Sequence, residues 1–144
     1  MASVFLERNE VRLSIAGAVS AGTVINGAVV DLVGIDGAAF FTRIATANVG
    51  NFLKLQAGAL ADGSDMADVA GSRVVADANG SVVGLEVTKL AFRFCRPVIV
   101  RAGADTVTGD IYAIRVNSFI QPTIANITNT HKTIVLQAPA LGTA

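Results

Sequence analysis

The sequence predicts an all-β domain, built as an antiparallel sandwich or barrel rather than from βαβ units. Three observations carry that expectation. Apolar residues recur with period two in short runs, Gly, Asn and Asp turn signals separate those runs at short spacing, and no amphipathic helix of ordinary length interrupts them. Taken in order, the runs make about eight or nine strands.

The first run, "VRLSI" (residues 11–15), alternates so that Val11, Leu13 and Ile15 share a face. "AVVDLVG" and "AAFFTRIAT" are rich in β-branched and aromatic residues and are parted by "GIDG", a turn built on Asp36 and Gly37. Phe41, Arg43 and Ala45 lie on one face of the second of these, Phe40, Thr42 and Ile44 on the other. "NFLKLQA" sets Phe52, Lys54 and Gln56 against Leu53, Leu55 and Ala57. "SRVVAD" and "VVGLEVTKL" flank Asn79-Gly80, a strong hairpin signal between apolar runs. "FRFCRPVIVRA", "DIYAIRV" and "KTIVLQA" complete the set. Pro97 cannot donate a ladder hydrogen bond, so it marks a bulge, an edge or a corner between sheets. "NSFIQPTIANITNTH" reads as a polar loop. Residues 1–10 and 138–144 carry no strand pattern and read as extended arms of one domain spanning 1–144.

A chain of 144 residues makes one domain that buries roughly 68–70% of its unfolded surface. Cys95 is the only cysteine, so an internal disulfide and Cys-rich zinc sites are excluded. Hydrophobic residues make up 52% before the 14 glycines are counted, whereas ordinary domains reach about 45–50% with glycine included. Charged residues are only 15%, against about 25% in ordinary domains. Eleven basic and eleven acidic side chains cancel, which argues against electrostatic capture of nucleic acid or an anionic membrane. The most apolar stretch, residues 15–35, is interrupted by Asn26 and Asp31 and does not read as a spanning helix. "MASVFLERNEVR" opens with mixed charge and does not read as a secretory signal. Apolar and sparsely charged surface of this kind favours assembly with other subunits.

Asp62, Asp65 and Asp68 recur every third residue in "ADGSDMADVAGSRV". EF-hand ligands instead fall at positions 1, 3 and 5 and close on a Glu at 12, and no Glu lies between residues 56 and 83. The simpler expectation is one short helical turn around residues 64–70. Asp62 or Ser64 would cap it, Gly71 would take the left-handed exit, and Met66 and Val69 would face the core. The three aspartates are the only candidates for a divalent-ion site, a reading second to the capped turn. No cofactor and no catalytic residue is expected. His131, the sole histidine, reads as an exposed residue at the start of a strand, and Cys95 as a small buried hydrophobe whose pKa Arg93 and Arg96 would lower. Neither a G-x-S-x-G elbow, nor a phosphate loop, nor H-E-x-x-H occurs, and the chain is not expected to be an enzyme.

Lys89, Arg93, Arg96, Arg101 and Arg115 supply five of the eleven basic residues. Arg93, Arg96, Arg101 and Arg115 are the candidate interaction residues, able to pair with carboxylates on a partner. The alternative is pairing within the chain to Glu86, Asp105 or Asp110.

The order "VDLVGIDGAAFFTRI", "LKLQAGALADGSDMADVAGSRV", "LEVTKLAFRFCRPVIVRA", "GDIYAIRV" and "PALGTA" resembles the capsid cement, or decoration, proteins encoded with the head genes of tailed phages. Within that group the likeness is to the jelly-roll cement proteins, one of which is known from a Bordetella phage. The match runs from about Val30 to the C-terminus, with residues 1–25 least supported. The resemblance implies a jelly-roll sandwich that sits on the outside of an assembled capsid and ties neighbouring major capsid protein subunits together. It also implies a homo-oligomer, a dimer rather than a trimer, located on the virion surface and made in the host cytoplasm. A head–tail connector or tail component is the alternative. A small β-barrel module binding a carbohydrate or divalent ion is a further one, disfavoured by the absence of Trp.

Overall fold

Eleven strands and no helix make up the described residues of the computed structural model, which are 10–13, 23–116, 131–137 and 139–144. They are β1 (Glu10–Leu13), β2 (Thr23–Asn26), β3 (Val30–Asp31), β4 (Gly37–Arg43), β5 (Asn51–Gly58), β6 (Ala67–Asp68), β7 (Val74–Val75), β8 (Val82–Thr88), β9 (Phe94–Arg101), β10 (Ile111–Val116) and β11 (His131–Gln137). The first sheet runs β1-β10-β4-β8-β11, and all its pairs are antiparallel except the parallel β8–β11. In the second, β9 and β5 form the centre, β2 and β3 share one flank, and β6 and β7 share the other.

Chain order shows how the sandwich is wound. From β1 the path crosses to β2 and β3, returns to β4, crosses to β5, β6 and β7, returns to β8, crosses to β9 and returns to β10. Two antiparallel sheets exchanging the chain in this way are a jelly roll. β11 adds a fifth strand to one edge.

Period-two alternation places the core between the sheets. Phe40, Val83, Leu85, Val87 and Ile111 point inward from one sheet, and Leu53, Leu55 and Ile99 from the other, all fully buried. Enclosing each such side chain contributes about 1.5–3 kcal/mol relative to leaving it in water. Pro97 lies inside the central strand β9, in register with Leu55 and without a bulge. The strand flanking β9 on its other side is broken there, since β2 covers residues 98–101 and β3 covers 94–95. The missing N–H of Pro97 therefore falls in the gap, while its carbonyl accepts from Gly27 N at 2.8 Å. A Cβ on Gly27 would stand 2.8 Å from the Pro97 ring, so this crossing needs glycine.

Three local expectations are corrected. Residues 64–70 form no helical turn: a turn at 64–65 leads into β6, and Val69 bridges Leu141. Gly71 does take the left-handed conformation, with φ 72°. The cause is tertiary, because the edge of β5 offers Asp68 and Ala67 ladder partners in Gln56 and Ala57. Asn79-Gly80 makes a turn but no hairpin, because β7 and β8 belong to opposite sheets. Residues 139–144 are no free arm. Gly142 N donates to Asp68 O, Ala70 N to Ala140 O and Gly71 N to Thr143 O, so the tail extends the second sheet beside β6. Residues 1–9, most of the other expected arm, lie outside the described residues, as does the polar loop at 117–130. Among the described residues no helix is long and apolar enough to cross a membrane.

Candidate interaction surface

On the outward face of the second sheet, the strand registers set side chains in rows across the strands. Nearest the loops 32–36 and 89–93 is Asp31–Phe94–Gly58. Next comes Arg96–Gln56–Asp68, then Asn26–Val98–Lys54, and last Val24–Val100–Phe52–Val75. A solvent-facing sheet surface is ordinarily polar. This last row is apolar on every strand, with Val24 58% exposed and Val100, Phe52 and Val75 half-buried. Val49, 74% exposed, lies close by: Arg73 stacks on the Phe52 ring at 4.3 Å and donates to the Val49 carbonyl.

The polar rows form one connected ladder. Arg96 Nε donates to Gln56 Oε1 at 2.9 Å, Gln56 Nε2 donates to Asp68 Oδ1 at 2.9 Å, and Lys54 Nζ donates to Asp68 Oδ2 at 2.7 Å. Partial burial opposes ionisation of Asp68, but the Lys54 and Gln56 hydrogen bonds and the Lys54 charge outweigh it and hold the pKa below the usual value. The side chains are thereby held in fixed directions, which lowers the entropy lost when a partner docks on them.

At the loop end, Arg93 grips Asp31 with two hydrogen bonds, Nε to Oδ1 at 2.9 Å and Nη2 to Oδ2 at 2.7 Å, and lies over the Phe94 ring at 4.9 Å. The Arg93 hydrogen bonds first, and then the Val33 N–H, pull the Asp31 pKa down to about 2. Asp31 is a carboxylate outside the three expected from sequence. Of the four candidate arginines, the structure brings Arg93 and Arg96 to this one face. Arg101 is corrected: it points inward from β9 and is 1% exposed, so no partner reaches it on the folded chain. Arg115 lies on β10 in the other sheet, half-buried, close enough to Asp31 for its charge to lower that pKa.

The three aspartates do not converge. Asp62 Oδ1 accepts from Ser64 N at 3.0 Å and Ser64 Oγ at 2.8 Å, and those two hydrogen bonds lower its pKa. Asp65 accepts the Ala59 N–H at 2.7 Å and the Leu60 N–H at 3.1 Å, filling the space that a Cβ on Gly58 would take. Asp68 is committed to the ladder. Among the described residues no three His, Cys, Asp or Glu side chains group as metal ligands. Cys95 is fully buried, and desolvation pushes its thiol up to about 12, opposite to the lowering expected from its arginine neighbours. His131 opens β11.

Comparison with known protein families, curated proteins and solved structures finds no match. The arrangement itself offers a contact surface: exposed apolar area, one fixed guanidinium row and a polar border. Sequence reasoning missed the apolar row because "TVIN" was not read as a strand. A legible signal existed in "PVIV", apolar at four consecutive positions, which marks a strand covered on both faces rather than one.

Proposed function

We propose that this chain is a structural virion protein, one that binds the outside of an assembled phage capsid and cements neighbouring major capsid protein subunits. The observation that carries the reading is the apolar row Val24–Val100–Phe52–Val75 across an outward sheet face, bordered by the Arg96–Gln56–Asp68 ladder. Apolar cores with polar rims are how subunits meet. The low charge of the chain and the resemblance of its motif order to cement proteins support the same reading.

Magnitude favours attachment in many copies. Four strands at ~4.8 Å and four rows at ~6.8 Å make a face of roughly 500 Å². A standard interface takes about 800 Å² per partner. One face alone holds weakly; a bridge resting on two subunits, repeated over a shell, holds through multiplicity.

Purified protein added to shells lacking it should saturate at two-fold or three-fold positions. Val24→Asp and Arg96→Glu should each lower occupancy at least about tenfold, a loss of about 1.4 kcal/mol per contact, with unchanged circular dichroism. Full occupancy by both variants would remove this face from the reading. A copy number matching a ring at one vertex would replace cement with connector.

A further inference from the structure

A bulge opens the outward face of the first sheet. Tyr112 on β10 is in register with Phe41 on β4, while Thr108 bridges Ile44. From one contact to the other the chain takes four steps on the β10 side and three on the β4 side, so one extra residue lies at Gly109–Asp110. Bulges re-aim side chains and are over-represented beside functional sites. This one is pinned: Gly109 N donates to Arg43 O at 2.9 Å, and Thr42 Oγ1 donates to Gly109 O at 3.2 Å. Beside it lies an open cavity of about 280 Å³, lined by Phe41, Tyr112 and Val82 together with the exposed Arg43 and Asp110. Tyr112 is 46% exposed. Arg43 Nε donates to Gly80 O at 3.1 Å, and a Cβ on Gly80 would stand 2.8 Å from Arg43 Nη2, so glycine there makes room for the guanidinium.

We propose that this cavity is a carbohydrate site, taking one neutral sugar ring against Tyr112 with its hydroxyls on Arg43 and Asp110. The lining selects that chemistry. An anion meets the Asp110 carboxylate and a cation meets the Arg43 guanidinium, so each is opposed by a like charge and a neutral ligand by neither. Tyr112 and Phe41 supply apolar ring surface for the C–H face of a sugar. Arg43 carries further N–H donors beyond the one on Gly80, and a carboxylate has several lone-pair sites, so Asp110 accepts from a hydroxyl whatever else it holds. An apolar face edged with hydroxyls is a pyranose ring. The volume falls just below the ~300–1,000 Å³ of sites for drug-sized ligands, so one ring enters and the rest of any chain stays outside. Absence of Trp argued against a sugar site from sequence; the only tyrosine supplies the platform instead. The cavity lies on the opposite sheet from the apolar row, and the assignment is independent of what that row binds.

Tyrosine emission reports this site directly, because Tyr112 is the only tyrosine and the chain has no Trp. Titration of the full chain with methyl glucoside, methyl galactoside, N-acetylglucosamine and dextran should change that emission saturably for at least one, with a dissociation constant in the millimolar range. Asp110→Ala, which keeps the fluorophore, should weaken the binding at least about tenfold, and Tyr112→Ala should do the same by calorimetry. Either order of affinity between the methyl glycosides and dextran supports the site, and the order tells a free sugar from a polysaccharide as its source. No saturable change with any of the four, unaltered affinity in both variants, or tighter binding of methyl glucuronide than of methyl glucoside would each overturn the assignment. A response to N-acetylphenylalanine amide alone would make the cavity a seat for a partner's side chain and overturn it too.

Discussion

Asn51 opens β5 inside the sandwich, fully buried, where two loops meet. Its amide donates to Thr46 O at 3.2 Å and Ala104 O at 3.0 Å, and its carbonyl accepts from Gly103 N at 3.2 Å and Ala104 N at 3.4 Å. An asparagine so placed joins the loop after β4 to the loop after β9 and leaves no amide hydrogen unused. Asn51→Ala should cost about 1–3 kcal/mol, because it removes four hydrogen bonds and leaves the half-buried Thr46 and Ala104 carbonyls without their donor. In urea the midpoint should fall while the slope holds. Asp31 makes a different prediction. Its folded pKa of about 2 lies below the ordinary aspartate value of 3.8, so its contribution is fully present above the unfolded value and fades as pH falls toward 2. The melting temperatures of the native chain and Asp31→Asn should therefore differ at pH 6 and converge near pH 2. A constant gap across that range would detach the Asp31–Arg93 pair from acid stability. Because both groups are exposed, screening by salt should narrow the gap at every pH.

Among the elements, the C-terminal tail changes role most from its sequence reading. Leu141 faces Val69 across an antiparallel bridge, and three backbone hydrogen bonds join the tail to residues 68–71. It covers the edge of β6, where unpaired N–H and C=O groups would otherwise invite another chain. Removing residues 139–144 should cost roughly 2–4 kcal/mol, three hydrogen bonds at about 0.5–1.5 kcal/mol each. Amide exchange should accelerate at Ala70 and Gly71, the donors freed by the deletion, before it does in β5. Aggregation of the shortened chain would carry the same meaning for the edge. Unchanged exchange at both amides would show that the tail adds nothing there.

For the whole molecule, a two-sheet core carries stability while one outward face carries the apolar row, so the two properties separate by mutation. Val24 lies on the edge strand β2 and is 58% exposed, so Val24→Asp leaves the core untouched. Under the proposed function, shells carrying the native chain should burst at a higher temperature than bare shells, and shells exposed to Val24→Asp should burst close to the bare value. The melting temperature of the free variant should match the native chain within a few degrees. A variant that loses both shell protection and its own stability would assign Val24 to folding instead.

How much of this was legible in the sequence differs by feature. Alternation in "AAFFTR" and "NFLKLQA" determined which residues share a face, and the structure buries the set with Phe40 and Thr42 on one strand and that with Leu53, Leu55 and Ala57 on the other. Turn chemistry at Asn79-Gly80 determined where the chain turns, whereas the turn expected on Asp36-Gly37 falls at Val33-Gly34, with Gly34 at φ 67° and Gly37 opening β4. Which sheet each strand joins was left to tertiary structure. A period of two separates in from out, but both sheets face the same core, so the pattern is identical whichever sheet a strand enters. For the same reason Arg101 looked like a surface residue, the stretch 64–70 looked like a helical turn, and the tail looked like a free arm. Each answers to partners distant in sequence: β5 and β2 for Arg101, Gln56 for Asp68, Val69 for Leu141. Local propensity is a fraction of a kcal/mol per residue, and a ladder or a buried site outweighs it.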